Sequence, residues 1–245
     1  FIHESNAIPG RANKLTARFA TRVLLGFQAC APFFSTRECV VTGTPVRRNL
    51  GSPLDRKAAL AAFHLADDRR TLLVMGGSQG AAGINQALFK CAPMLKDSPL
   101  QIIHLTGERD DRLAAANYQR ENIPHYVAPF HHRMEEAYSA ADFVVSRAGA
   151  ASLSELSHFG LPSVLVPYPY ATDDHQSSNA KVFVDAGAAE LQTERRLDPQ
   201  TFSALLTNLL TDNNRRERMA AAARTILPRD AAGNVANEIE RAAAT

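Results

Sequence analysis

Thr71-Leu72-Leu73-Val74-Met75 runs directly into Gly76-Gly77-Ser78-Gln79-Gly80-Ala81. A short apolar run that stops at glycines reads as a strand buried on both faces, as in a parallel sheet. Helical spacing begins at Ala81 and lasts to Leu95. The pair is therefore a strand handed to a helix through a glycine turn. Working outward, the alternation repeats. Leu100 to Leu105 reads as a strand and Asp110 to Glu121 as a helix. His125 to Val127 reads as a strand and Arg133 to Ala140 as a helix. Asp142 to Val145, Pro162 to Val166 and Ala188 to Leu191 read as strands, with helices at Ser152 to Phe159 and His175 to Ala186 between them. Strand–helix alternation of this kind specifies an α/β, doubly wound parallel sheet.

The flanks read differently. Three helices close the chain, Asp198 to Leu210, Asn214 to Ile226 and Ala231 to Ala244, with Pro228 separating the last two. Ahead of the sheet lie a helix from Asn13 to Ala20 and strands from Val23 to Phe27 and Cys39 to Thr42. The turn Gly43-Thr44-Pro45 follows, and a domain boundary is expected near residue 45.

Composition narrows the class. The chain has 245 residues, 45% hydrophobic and 21% charged, which describes a packed globular protein and excludes a disordered or collagen-like one. A net charge of +2 gives no electrostatic case for nucleic acid. Cys30, Cys39 and Cys91 form no CxxC pair, so neither a zinc cluster nor a disulfide framework is expected, and a reducing cytoplasm fits. The longest uncharged apolar stretch is broken by Pro162, Pro167 and Pro169 and does not read as a membrane span. Residues 1–50 hold seven Arg and Lys against two Glu, which reads as a solvated helix face or as contact with anionic lipid. The chain opens Phe-Ile-His-Glu without Met, as expected of a fragment or processed product.

Three loops at the carboxyl ends of these strands hold the chemistry. Gly76 to Ala81 reads as a backbone cradle for an anion at a helix start, with Ser78 offering a hydroxyl, or as a tight turn. In Ser146 to Glu155, Ser152 and Glu155 stand three apart. That spacing suits a capping box, or Glu155 accepts hydrogen bonds from a ribose diol. In Pro167 to Asn179, His175, Gln176 and Asn179 suit sugar hydroxyls. The competing ideas there are an Asp N-cap and a metal set of Asp173, Asp174 and His175. In open α/β sheets ligands bind at this edge, so the convergence supports a phosphorylated, hydroxyl-rich ligand such as a nucleotide sugar.

These motifs resemble the MurG family of bacterial N-acetylglucosaminyltransferases. The resemblance rests on His3-Glu4-Ser5-Asn6-Ala7-Ile8-Pro9-Gly10, Gly43-Thr44-Pro45-Val46-Arg47, Gly76 to Gly80, Arg147 to Ala150 with Ser154-Glu155-Leu156, and Asp173-Asp174-His175-Gln176 with Asn179-Ala180. It covers nearly the whole chain. It implies a Rossmann-like doubly wound sheet in the GT-B architecture, with most of the N-terminal domain missing. Residues 1–45 would be the remnant of the acceptor domain and 46–226 the donor domain. Residues 227–245 would pack back on the acceptor domain.

The resemblance also implies the chemistry. Such enzymes move N-acetylglucosamine from UDP-GlcNAc to lipid I, giving lipid II for peptidoglycan, on the cytoplasmic side of the membrane as peripheral proteins. Arg11, Lys14, Arg18 and Arg22 are compatible with that surface. No metal or cofactor is implied. Ser78 would lie near the diphosphate and Arg47 near the nucleotide. The backbone at Phe130 and His131 would read the uracil edge, with Met134 beside it. Ala150, Ala151 and Ser152 would line the phosphate and ribose end, and Glu155 would hold the ribose hydroxyls. His175 and Gln176 would meet the sugar, and Asn6 would face the cleft from the acceptor side. The catalytic base, a His, is expected upstream, so this chain alone would bind donor, with apolar acceptor-side surface exposed. The chain departs from the family pattern at Ser5, usually Gln, at Ser152, usually Thr, and at His132 and Arg133, commonly an acidic pair. Alternatives are another GT-B UDP-sugar transferase, a UDP-GlcNAc 2-epimerase, or a donor-binding subunit with a separate acceptor-domain partner.

Overall fold

The computed structural model describes residues 1–77, 80–171 and 174–244. Its centre is a six-stranded sheet built from β4 (Arg70–Met75), β5 (Leu100–Leu105), β6 (His125–Ala128), β7 (Phe143–Ser146), β8 (Ser163–Leu165) and β9 (Ala189–Leu191). The spatial order is β6-β5-β4-β7-β8-β9, and every pairing is parallel. The order reverses between β4 and β7, where Met75 lies opposite Ser146. That junction is the switch point, at which two loops diverge from the sheet edge and leave a crevice.

Both faces of the sheet are buried. Leu73 and Met75 of β4 pack with Ile103, Leu105, Val144 and Leu165 in one core. Their neighbours Leu72 and Val74 pack with Ile102, Phe143, Val145 and Val164 in the other. The two-residue period of a strand sends alternate side chains to opposite faces, which explains the continuous apolar runs. Helix α3 (Ala82–Leu95), α4 (Asp111–Arg120) and α8 (Pro199–Thr211) cover the second core. Helix α5 (Met134–Ala140), α6 (Ala150–Phe159) and α7 (His175–Asp185) cover the first. The expected helices and strands of this region are present, with ends displaced by one or two residues.

A short helix, α2 (Arg56–Ala61), was not expected from the sequence. Six residues are too few to display a period. It is fixed instead by its Asp55 cap on Ala58 N–H and by burial of Ala59, Leu60 and Phe63.

Residues 2–41 hold a second parallel sheet, β1 (Ile2–Glu4), β2 (Arg22–Leu25) and β3 (Glu38–Val41). The helix expected from Asn13 to Ala20 is α1 (Arg11–Thr16) followed by a 3-10 turn over Ala17–Phe19. Helix α9 (Asn213–Ile226) packs on α6, and α10 (Ala231–Ala243) returns to the small sheet. There Asn234 donates to the Thr42 carbonyl, and Glu238 pairs with Arg22 at 2.9 Å. Arg22 also pairs with Glu38. It thus serves as an internal tie, not as part of a free basic face. Among the described residues no helix is long and apolar enough to cross a membrane.

Candidate functional site

The helix starts differ around the molecule. Helices α2, α8, α9 and α10 each begin with an Asp whose carboxylate accepts backbone N–H bonds. The N-cap residues of the five helices that follow β4 to β8 make no side-chain cap bond. The first N–H groups of a helix lack partners inside it, and the helix dipole adds positive potential there. Two of these starts, those of α3 and α6, flank the switch point. Gly149 precedes α6 and has open space where a side chain would stand.

The glycine loop after β4 needs its glycines for close approach. A Cβ at Gly76 would lie 2.4 Å from the Ala81 backbone N, and one at Gly80 only 2.2 Å from the Thr106 carbonyl oxygen. Gly77 and Gly80 also have positive φ, at +83° and +73°. Ser78 lies outside the described residues.

Beside the loop is a cleft of about 300 Å³ lined by Arg47, Met75, Gly77, Phe130, Met134, Tyr138, Ser152 and Glu155, among others. A larger cavity of about 360 Å³ lies where the chain crosses between the two sheets, at Thr44, Val46 and Leu227–Ala232. Among the described residues, neither those of the glycine loop nor the start of α6 borders that second cavity.

Glu155 is the polar centre of the cleft. Tyr138 Oη donates to its Oε2 at 2.6 Å, and Arg47 Nε donates to its Oε1 at 3.2 Å. Burial, the Glu155 charge and this hydrogen bond push the Tyr138 hydroxyl well above its ordinary pKa, so it stays a donor. The Arg47 side chain is 49% exposed and stands at the mouth. The capping-box alternative fails: α6 starts at Ala150 behind Gly149, so Ser152 is its third residue and Glu155 its sixth. The carboxylate is too far along the helix to cap it and turns into the cleft.

Of the residues expected to form a site, Arg47, Phe130, Met134, Ala151, Ser152 and Glu155 meet in this cleft. Ala150 lies just behind it and is buried. The His131 imidazole is anchored by Glu136 Oε2, 3.0 Å from its Nε2, and packs on Phe63. Gln176 is engaged as well. Its Oε1 accepts from Ala148 N and Tyr168 N at 3.3 and 2.9 Å, which orients the amide and leaves its NH₂ for other partners. His175 begins α7, outside the lining of this cleft.

Asn6 lies outside the lining of this donor cleft. Its Nδ2 donates to Glu4 and its Oδ1 accepts from Asn179. Asn179, fully buried, also accepts from Ala7 N and donates to the Ala148 carbonyl. The pair joins the small sheet to the loop before α6. In the third loop Asp174 accepts from the Ser177 hydroxyl and not from a backbone N–H. Among the described residues no cluster of three His, Cys, Asp or Glu could hold a metal ion, and Asp173 lies outside them.

Sequence reasoning missed Tyr138. The signal was present, because Met134 and Tyr138 are four apart and share one face of α5.

A family model described as the glycosyltransferase family 28 C-terminal domain matches residues 71–235. A UDP-N-acetylglucosamine--N-acetylmuramyl-(pentapeptide) pyrophosphoryl-undecaprenol N-acetylglucosamine transferase of Synechococcus elongatus is 40% identical over 96% of this chain and 65% of its own length. The protein of the same name from Desulforamulus reducens is 36% identical over 98% of this chain and 66% of its own length. The chain thus spans just under two thirds of these curated relatives. The crystal structure of Acinetobacter baumannii MurG superposes with a TM-score of 0.80 at 32% identity, covering 98% of this chain and 67% of that one. With an uncapped, glycine-flanked crevice at its switch point and relatives of this kind along its whole length, the chain belongs to glycosyltransferase family 28, among its MurG-type members.

Proposed function

We propose that this chain binds UDP-N-acetylglucosamine, and that the whole protein transfers its sugar to lipid I to make lipid II, with inversion at the anomeric carbon. The observation that carries the proposal is Glu155, a carboxylate held by Tyr138 and Arg47 in the cleft beside the glycine loop. A carboxylate has roughly four acceptor positions, and two remain here for a ribose diol.

The other roles are those that the family resemblance implies. Met134 and the backbone at Phe130 and His131 take the uracil. Ser78, its glycine loop and the start of α6 at Ala150, Ala151 and Ser152 take the diphosphate. His175 and the NH₂ of Gln176 take sugar hydroxyls. As the glycosidic bond to UDP breaks, negative charge grows on the diphosphate, where fixed N–H dipoles stabilise it without reorganising. Residues 46–226 form the donor unit, residues 1–45 belong to the acceptor side, and 227–245 close back on it. Deprotonation of the acceptor hydroxyl is assigned to residues outside the donor cleft.

A peripheral position on the cytoplasmic membrane face is part of the proposal. Phe19 is 84% exposed and Leu15 is 55% exposed, near Arg11, Lys14 and Arg18. Such a pairing of apolar and basic groups suits an anionic lipid surface.

Calorimetric titration of the chain with UDP-GlcNAc, UDP-glucose and UDP tests the donor assignment. Saturable binding that favours UDP-GlcNAc is expected. A preference for UDP-glucose would transfer the chain to another GT-B UDP-sugar transferase, and a folded chain that binds none of the three would contradict the proposal.

A further inference from the structure

On the far side of β5 from the cleft lies a buried polar group that the proposed chemistry does not use. His104, fully buried on β5, receives a hydrogen bond at Nδ1 from Tyr118 Oη at 2.8 Å, and its Nε2 lies 3.0 Å from Asn85 Oδ1. Asn85 Nδ2 donates to the Thr106 carbonyl at 3.0 Å and to Asp110 Oδ2 at 2.7 Å. These bonds fix each role. The Asn85 amide nitrogen spends both hydrogens on acceptors, so Oδ1 must accept. His104 therefore carries its proton on Nε2, and Nδ1 accepts from Tyr118. Burial lowers the His104 pKa to about 3, so the imidazole is neutral under ordinary conditions.

Buried polar groups cost stability unless satisfied, and apolar side chains would fill this space as well. What a satisfied network adds is direction. Its direction here is toward the glycine loop. Asn85 stands in the first turns of α3, and the Thr106 carbonyl that it holds is the atom on which Gly80 rests, with no room for a Cβ between them. One carbonyl thus locates both the end of the loop and the start of the helix.

We propose that Asn85, His104, Tyr118 and Asp110 form a positioning network that sets the backbone N–H groups at the start of α3 for the diphosphate of a nucleotide donor. Asn85 is the positioning residue that links the network to the loop. The proposal rests on the donor-binding assignment above and extends it to residues that touch no ligand.

The test compares UDP with uridine, which lacks both phosphates, on the full chain. Calorimetry and ligand-observed NMR follow the wild type, Asn85→Leu and Tyr118→Phe, with the melting temperature of each. Asn85→Leu is expected to weaken UDP binding by about tenfold and leave uridine affinity unchanged. Tyr118→Phe removes one outer bond and is expected to give about a two- to threefold loss in the same direction. Tyr118→Phe decides the matter if Asn85→Leu does not fold. Equal losses for UDP and uridine would show a merely structural role and overturn the proposal, as would unchanged UDP binding in a folded variant. If the wild type binds neither compound, the donor assignment itself fails, and that result is separate from any effect of the substitutions.

Discussion

Glu4 and Glu155 are both buried glutamates from the motifs that carry the family resemblance, and the structure uses them in opposite ways. Glu4 is surrounded. Asn6 N, Asn6 Nδ2, Gly10 N and Asn13 Nδ2 all donate to it at 2.8–3.1 Å. Burial raises its pKa, but these donors together outweigh burial and hold it below the ordinary value. All of its acceptor positions are filled from the loop after β1 and from Asn13 on α1, so it ties that loop to the helix that follows. Glu155 has donors from Tyr138 and Arg47 and opens on the cleft. The comparison teaches that burial and charge do not separate a structural carboxylate from a binding one. The number of acceptor positions already filled does.

The largest expected effect is at Glu155. Glu155→Gln should weaken UDP-GlcNAc binding by about a hundredfold, roughly 3 kcal/mol for charged hydrogen bonds to a diol, while the melting temperature changes little. Titration calorimetry beside thermal unfolding checks this. A stability loss without an affinity loss would make Glu155 a second Glu4.

Glu4→Gln should behave in the opposite way, costing about 2 kcal/mol of stability with donor affinity intact in the folded protein. Its pH dependence is specific. Because the folded pKa is lowered, the stabilisation is fully present above the unfolded value of about 4.3 and is lost as pH falls through the folded one. Denaturant melts of wild type and Glu4→Gln should therefore differ at pH 7 and converge only once the pH has fallen below the lowered folded value.

Asn179→Ala should cost about 1.5 kcal/mol, because Ala7 N–H and Asn6 lose a buried partner between the two sheets. Urea melts measure it, and limited proteolysis within residues 1–41 should speed up. The smallest effect is expected for Tyr138→Phe. Glu155 loses one anchor but keeps Arg47, and affinity should fall about fivefold, or roughly 1 kcal/mol.

The large sheet was plainly legible in the sequence. Runs such as Thr71 to Met75 leave few alternatives, because both faces of their sheet are covered. What escaped were short or non-local features. Strand β1 has three residues and α2 has six, below the length at which a period can register. At the site, polarity was visible but the choice of partner was not. Asn179 and the oxygen of Gln176 look like ligands for a sugar, yet other backbone and side-chain groups of the chain take them. In the sequence Glu155 stands between cap and ligand, because that choice turns on where α6 begins. A two-residue shift in the helix start decided it.

The most direct test of the account is the discrimination between UDP and 2′-deoxy-UDP by the wild type and by Glu155→Gln. If Glu155 receives the ribose diol, the wild type prefers UDP by about tenfold and the variant binds the two nearly equally. A preference that survives the substitution unchanged would place the ribose elsewhere and contradict the account.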